Sequence, residues 1–277
     1  MTLVIAERTD KEVSFSADTR ISFGNQGHFD KAIKIFSVPF KLKGPAKTRE
    51  DFDKFEFEYN YGMAVIGSAI NAYTVKDSIV EVLPNITYLT NLSDFSIPSI
   101  GKLVFDSYVE ISKEIASSLR GAGLCEILLG GFCLKQGRIR VLHFYPKIGK
   151  ENTEYYLDEI LLTNKMRFFG SGKELAKQIY ENDKSLNPFQ IIKKVINTKS
   201  EKTVGGNIQS GTFYGKEFSI NGVLEKIVDK KGNTIETNKY RRGFKIRDEI
   251  KSAKNPPYLF IRYGYKPYEF VQDDSEE

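Results

Sequence analysis

The chain has 277 residues, 40% of them apolar and 28% charged, with a net charge of +5, which suits one large or two small folded domains and excludes disorder. No apolar run approaches the roughly 20 residues that span a bilayer, and no basic-then-apolar leader opens the chain. Only two cysteines (Cys125, Cys133) and two histidines (His28, His143) occur; they exclude a disulfide framework, leave a Cys/His zinc site short of ligands, disfavour a Ser-His-Asp triad and point to a reducing, cytoplasmic setting.

TLVIAER (2–8) reads as a strand, TDKE as a turn and VSFSAD (13–18) as the returning strand. A loop with Gly24 and Gly27 leads to a short strand around AIKIF (32–36). Residues 37–60 read as an irregular, charged insertion with FEFEY as an edge strand, and GMAVIG (62–67) as a buried strand. Ser68 is a good N-cap residue. Behind it Ala72, Val75, Ile79 and Val82 recur at helical spacing. A second helix carries Ile100, Leu103, Val104, Tyr108, Ile111, Ile115 and Leu119 on one face.

GLCEILLGGFCL and RIRVLHFYP form a hairpin turning at KQG, followed by strands near EYYLDEIL and KMRFFG. Two further helices follow, SGKELAKQIYEN and one with Asn187 as N-cap and Pro188 in its first turn. TVGGNIQSGTFYG returns to strand, and LEKIVDKKGNTIE reads as a last hairpin. Residues 225–267 hold twelve Lys/Arg against five Asp/Glu, a net +7 that exceeds the whole chain, before an acidic DDSEE end. Strands, two helices, strands, two helices, strands is the order of an α+β protein. It predicts a four-layer αββα sandwich of two mainly antiparallel sheets between helical layers, with a C-terminal appendage.

The chemistry starts at Thr2. Behind a start methionine that is commonly removed when the next residue is small, Thr2 would carry a hydroxyl and a free α-amine. That amine has a reference pKa of about 7.7–8.0, so one residue supplies both nucleophile and base. Such a pair needs a cation to keep the amine neutral, an anion to hold the cation, and backbone donors for the oxyanion. Asp18 and Lys34 follow at two successive sixteen-residue steps, Asp18 folded back by the first hairpin and Lys34 expected on a strand beside it. Lys34, inside the apolar AIKIF, is expected to be buried against Asp18, because a buried lysine needs a partner. Gly67, where a strand meets a helix N-terminus, is the expected oxyanion donor. Alone, Thr2 is an ordinary strand residue and Asp18 a turn cap; their spacing tips the reading toward catalysis.

Thr2, SADTR (16–20), KIF (34–36), IGSAINAYTV (66–75) and FFGSGKELA (168–176) together resemble the proteasome β-subunits and the related bacterial peptidase subunits, N-terminal nucleophile hydrolases. The resemblance covers roughly 2–222 and leaves 223–277 as a basic, aromatic-rich extension. It implies Thr2 as nucleophile, Lys34 as tuner of the amine, Asp18 as its counter-ion, Gly67 as oxyanion donor and Ser171 as a hydroxyl near the amine. Val65 shapes the pocket for the side chain before the cut, with Arg20 and Ser68 beside it, and Arg20 is also a structural partner beside Asp18. The implied substrate is a peptide or unfolded polypeptide and the implied assembly a homo-oligomeric ring with an ATP-dependent unfoldase; the chemistry requires no metal or organic cofactor, and no membrane is involved.

The chain departs from the family where an Asp, two residues and Ser-Gly-Gly are usual: SEKTVGG puts Glu201 at the acidic position and Val204 at the serine. Other readings stay compatible with these residues. They are a catalytically silent proteasome-like subunit, a small-molecule amidohydrolase, and a partner- or nucleic-acid-binding protein acting through KYRRGFKIR (239–247) and YLFIRYGYKPYEF (258–270). Two-faced strand alternation is the commoner cause of that aromatic–cation interleaving, so nucleic acid is the least favoured partner.

Overall fold

The computed structural model describes residues 2–23, 26–45, 48–49, 54–87, 94–150, 152–246 and 264–271. The first hairpin is β1 (Leu3–Arg8) and β2 (Val13–Asp18), followed by the short β3 (Ile21–Ser22) and β4 (His28–Phe29). A long hairpin, β5 (Ile35–Lys43) and β6 (Phe57–Gly67), leads into α1 (Ala69–Val82), β7 (Ile86–Thr87) and α2 (Ile97–Leu119). Then come β8 (Cys125–Cys133), β9 (Arg138–Ile148), β10 (Thr153–Ile160) and β11 (Lys165–Gly170). The helices α3 (Lys173–Asn182) and α4 (Pro188–Thr198) follow. The chain closes with β12 (Ile208–Tyr214), β13 (Glu217–Val228), β14 (Thr234–Arg241), β15 (Phe244–Lys245) and β16 (Tyr265–Val271).

Two large sheets result. One runs β11-β1-β2-β12-β13-β14-β15, with β16 added parallel to β13; the other runs β10-β9-β8-β6-β5-β7. Except for β13–β16 and β5–β7, their ladders are antiparallel. The mixed α+β content expected from the sequence is present. Because successive side chains of a strand point to opposite faces, the start of β1 and the end of β6, buried on both faces, are apolar without alternation. In β1, Leu3 and Ile5 face a cluster with Ile191, Ile192 and Val195 of α4, while Val4 and Ala6 join a cluster with Ala64, Ile66 and Leu128 of the second sheet. In β6, Met63 and Val65 instead pack with Ala72, Val75 and Ile79 of α1 and Val104 and Tyr108 of α2.

Several expectations are corrected. At its two ends the segment 37–60 is regular: 37–43 complete β5, and 57–60 begin β6, where they pair with β5, while the ladder of β6 with β8 starts at Gly62. The buried Val38, Phe40 and Leu42 carry the alternation. Pro39 masks it, and is tolerated because, among the described residues, β7 pairs with Leu42 and Lys43 and not with Pro39. Lys34 precedes the strand around AIKIF, which starts at Ile35 and belongs to the second sheet, so Lys34 does not lie on a strand beside the first hairpin. Ser68 occupies the N-cap position of α1, but its side chain makes no capping bond; its N–H donates to Leu124 O at 2.9 Å. Asn187 caps α4 as expected, in a reciprocal box with Gln190. In α2 the buried stripe is Ile97, Ile100, Gly101, Val104, Tyr108 and Ser112, with Leu103 and Leu119 exposed. The boundary at 222/223 falls inside β13, so the C-terminal segment extends the first sheet. Of the basic finish, 247–263 lie outside the described residues; Tyr265–Val271 form β16.

Candidate active site

The register of the first hairpin, Val4 opposite Ala17, brings the end of β2 beside the start of β1. Asp18 is fully buried there and its two oxygens take five donors. Oδ1 accepts from the Thr2 hydroxyl at 2.6 Å, Leu3 N–H at 2.9 Å and the Lys34 ammonium at 2.7 Å. Oδ2 accepts from the backbone N–H of Arg20 at 3.0 Å and of Gly205 at 3.1 Å. Lys34 reaches across from the second sheet, where Val65 N–H donates to its carbonyl at 2.9 Å, and its ammonium also donates to Thr2 Oγ1. Thr2 and Lys34 are 1% and 4% exposed. Burial pushes the Lys34 ammonium below its ordinary range, and the Asp18 charge and hydrogen bond oppose it. The Thr2 hydroxyl is thus held in place and desolvated between a carboxylate and an ammonium at the seam of the two sheets.

Thr2, Lys34, Val65 and Gly67 share one cleft, closed by Ile21, Ala72 and Tyr73, with about 20 Å³ of free space, enough for one water. Tyr73 is itself tied by its hydroxyl to Ile33 O at 2.9 Å. Gly67 ends β6 with φ +93°, and a Cβ there would meet Leu124 O at 2.7 Å. Only glycine turns the chain here without that clash, and Gly67 is exposed. Gly170 makes a similar demand: with φ +88°, a Cβ on it would overlap the Thr2 carbonyl oxygen.

Ser171 donates to that Thr2 carbonyl at 3.4 Å and shares a 2.6 Å hydrogen bond with Thr203, whose hydroxyl donates to Glu201 at 2.6 Å. Glu201 thus connects to Thr2 only through Thr203 and Ser171. Val204 lies buried in the apolar cluster with Leu3 and does not take part. Thr203 is the residue that the sequence reading missed: its hydroxyl stands one position before Val204 in SEKTVGG.

One candidate side chain lies elsewhere. Arg20 does not line the Thr2 cleft; its guanidinium forms a two-pronged pair with Asp30 at 2.7 and 2.8 Å and donates to Lys202 O at 3.2 Å. That hydrogen-bonded pairing raises the Arg20 pKa and lowers that of Asp30. Its side chain borders a separate depression of about 450 Å³ with His28, Lys199 and Glu201. Only its backbone N–H serves Asp18. Ser68 stands between Gly67 and Ala69, which both line the Thr2 cleft. Among the described residues no group of three or more His, Cys, Asp or Glu could hold a metal, and no helix is long and apolar enough to cross a membrane.

No family model matches the chain, and no curated protein does. Solved structures do. Anbu (ancestral β-subunit) from Yersinia bercovieri matches with a TM-score of 0.53 at 14% identity, over 79% of this chain and 86% of that one. Anbu from Pseudomonas aeruginosa, described as a helical assembly, matches at 0.52 and 15% identity, over 79% and 85%. An Anbu Gly-1 mutant from Hyphomicrobium sp. strain MC1 matches at 0.50 and 17% identity, over 87% and 88%. Identities this low speak to the fold and leave the chemistry to the residues. The chain shares the proteasome-like fold of these Anbu structures.

Proposed function

We propose that the chain is a threonine-type amide hydrolase that uses Thr2, freed of Met1, as nucleophile and its own α-amine as base. The observation that carries this reading is the Thr2 hydroxyl, buried between the Asp18 carboxylate and the Lys34 ammonium. The amine, directly or through a water, takes the Oγ1 proton. Oγ1 attacks the carbonyl, the Gly67 N–H stabilises the oxyanion, and the leaving amine departs with the proton that the base holds. Water then hydrolyses the acyl-enzyme. The Lys34 charge disfavours a second positive charge on the amine and keeps it basic but neutral. Asp18 compensates Lys34, and Ser171, Thr203 and Glu201 steady the Thr2 backbone.

The three buried clusters support the finer architecture, helices over sheet over sheet over helices, and Val223 and Tyr268 pack in the same cluster as Leu3, so the C-terminal strands are an addition continuous with the hydrolase core. The helical assembly described for the Pseudomonas aeruginosa relative supports a homo-oligomer. On this reading the protein is cytoplasmic, degrades unfolded polypeptides and is fed by an ATP-dependent unfoldase. A cleft with room for one water favours small apolar side chains before the cut. The same size favours, as a second reading, a small-molecule amide.

The test combines intact-mass analysis with hydrolysis of fluorogenic peptides and of short-chain N-acyl amides. Loss of the Met1 mass and hydrolysis abolished by Thr2→Ala and by Lys34→Ala are expected. Retained Met1 with no turnover would leave a silent, proteasome-like scaffold.

A further inference from the structure

Gln209 stands on β12 opposite Ala17 of β2 and is 1% exposed. Ala17 belongs to the apolar layer between the sheets, with Val4, Phe15, Ile35 and Ile66. An amide beside that layer is unfavourable unless its polar atoms are all met. Here they are. Oε1 accepts from Lys34 N–H at 2.8 Å and from Ile35 N–H at 3.2 Å. Nε2 donates to Asp18 O and to Ala32 O, both at 3.0 Å. Two lone pairs and two N–H groups are the full capacity of a glutamine side chain.

Asp18 ends a strand of one sheet and Lys34 precedes a strand of the other, so no strand ladder sets their separation. One backbone bond, Ala32 N–H to Thr19 O at 2.9 Å, ties the two segments. Gln209 adds four side-chain bonds to these segments, one to the main chain of Asp18, one to that of Lys34, and one each to the neighbouring Ala32 and Ile35. We propose that Gln209 is a positioning residue for the Thr2 centre: its amide fixes the main chain of both residues so that carboxylate and ammonium meet at the Thr2 hydroxyl. The inference rests on the Thr2 reading above. Methionine at 209 would leave two N–H groups and two carbonyls unmet, and a glutamate carboxylate would set its oxygens against the Asp18 and Ala32 carbonyls.

The experiment compares Thr2-dependent amide hydrolysis by the full chain with that of Gln209→Met and Gln209→Glu. For Gln209→Met, kcat falls about 100-fold, as a displacement near 1 Å produces, while KM stays within about twofold. Its acid limb in kcat/KM moves up by about half a pH unit or more, because the ammonium withdraws from the amine it tunes. Relative to the unaltered protein at the same pH, Gln209→Glu is impaired most at neutral pH and less on the acid limb, where its protonated carboxyl again offers a donor. Slow exchange of the Lys34 and Ile35 amides in the unaltered protein supports the geometry even where a variant does not fold. Wild-type kcat and pH profile in both variants, a lower kcat with an unmoved acid limb, or rapid exchange of those amides would each overturn the inference. Absence of Thr2-dependent hydrolysis in the unaltered protein overturns the Thr2 reading itself, and this inference with it.

Discussion

Replacing Lys34 by methionine keeps the length of the side chain and removes its charge. The ammonium lies 2.7 Å from Asp18 Oδ1, so the gross attraction is roughly 6 kcal/mol at an effective dielectric near 20. Most of that offsets desolvation of two buried charges, and breaking such a pair costs about 3–5 kcal/mol. Asp18 keeps four donors, from Thr2, Leu3, Arg20 and Gly205, which places the loss near the lower limit, about 3 kcal/mol. The chain has no tryptophan, so urea unfolding is best followed by far-ultraviolet circular dichroism. With a slope of about 3 kcal/mol per molar urea, the midpoint drops by about 1 M. Pairing Lys34→Met with Asp18→Asn completes a double-mutant cycle, in which the double variant falls short of the summed losses by about 1.5 kcal/mol or more. A midpoint shift below about 0.3 M for Lys34→Met, or additive losses in the cycle, would refute the view that the ammonium compensates a buried carboxylate.

Thr203→Val removes the hydroxyl that joins Ser171 to Glu201; about 1 kcal/mol of stability is lost and hydrolysis falls about tenfold, read by steady-state kinetics with a thermal melt. Gly67→Ala forces a side chain into left-handed backbone against Leu124 O; a stability loss of about 1–3 kcal/mol should accompany severe loss of turnover. The activity profile should rise with pH through the Thr2 amine, below its reference of about 7.7–8.0, and fall again below the ordinary lysine value as Lys34, depressed by burial, loses its proton. At the C-terminal strand, burial alone would push Glu225 up, but hydrogen bonds from Lys193 at α4 and Tyr268 of β16 outweigh it and hold its pKa below the ordinary 4.5. A depressed carboxylate stabilises above its unfolded value and loses that contribution as pH falls through the folded one. Proteolysis within 264–271 should therefore accelerate as pH drops below 4.5, and a protease resistance unchanged down to strongly acid pH would contradict the clasp.

Local chemistry made much of the protein legible from the sequence. Strand periodicity defined VSFSAD and KMRFFG residue for residue, and Asn187 followed by Pro188 marked the start of α4, because these signals act within a few residues. Spacing also brought Thr2 and Asp18 together, since a tight antiparallel hairpin sets which residues face each other. Only tertiary structure decided the rest. Lys34 meets them from the opposite sheet, an approach across the sandwich that no chain spacing encodes. Arg20 turned to Asp30 because a planar guanidinium finds its two-pronged match there. Thr203 took over the hydroxyl relay and Gln209 the bridge between sheets because both depend on groups far apart in sequence, whose meeting follows from packing two sheets face to face.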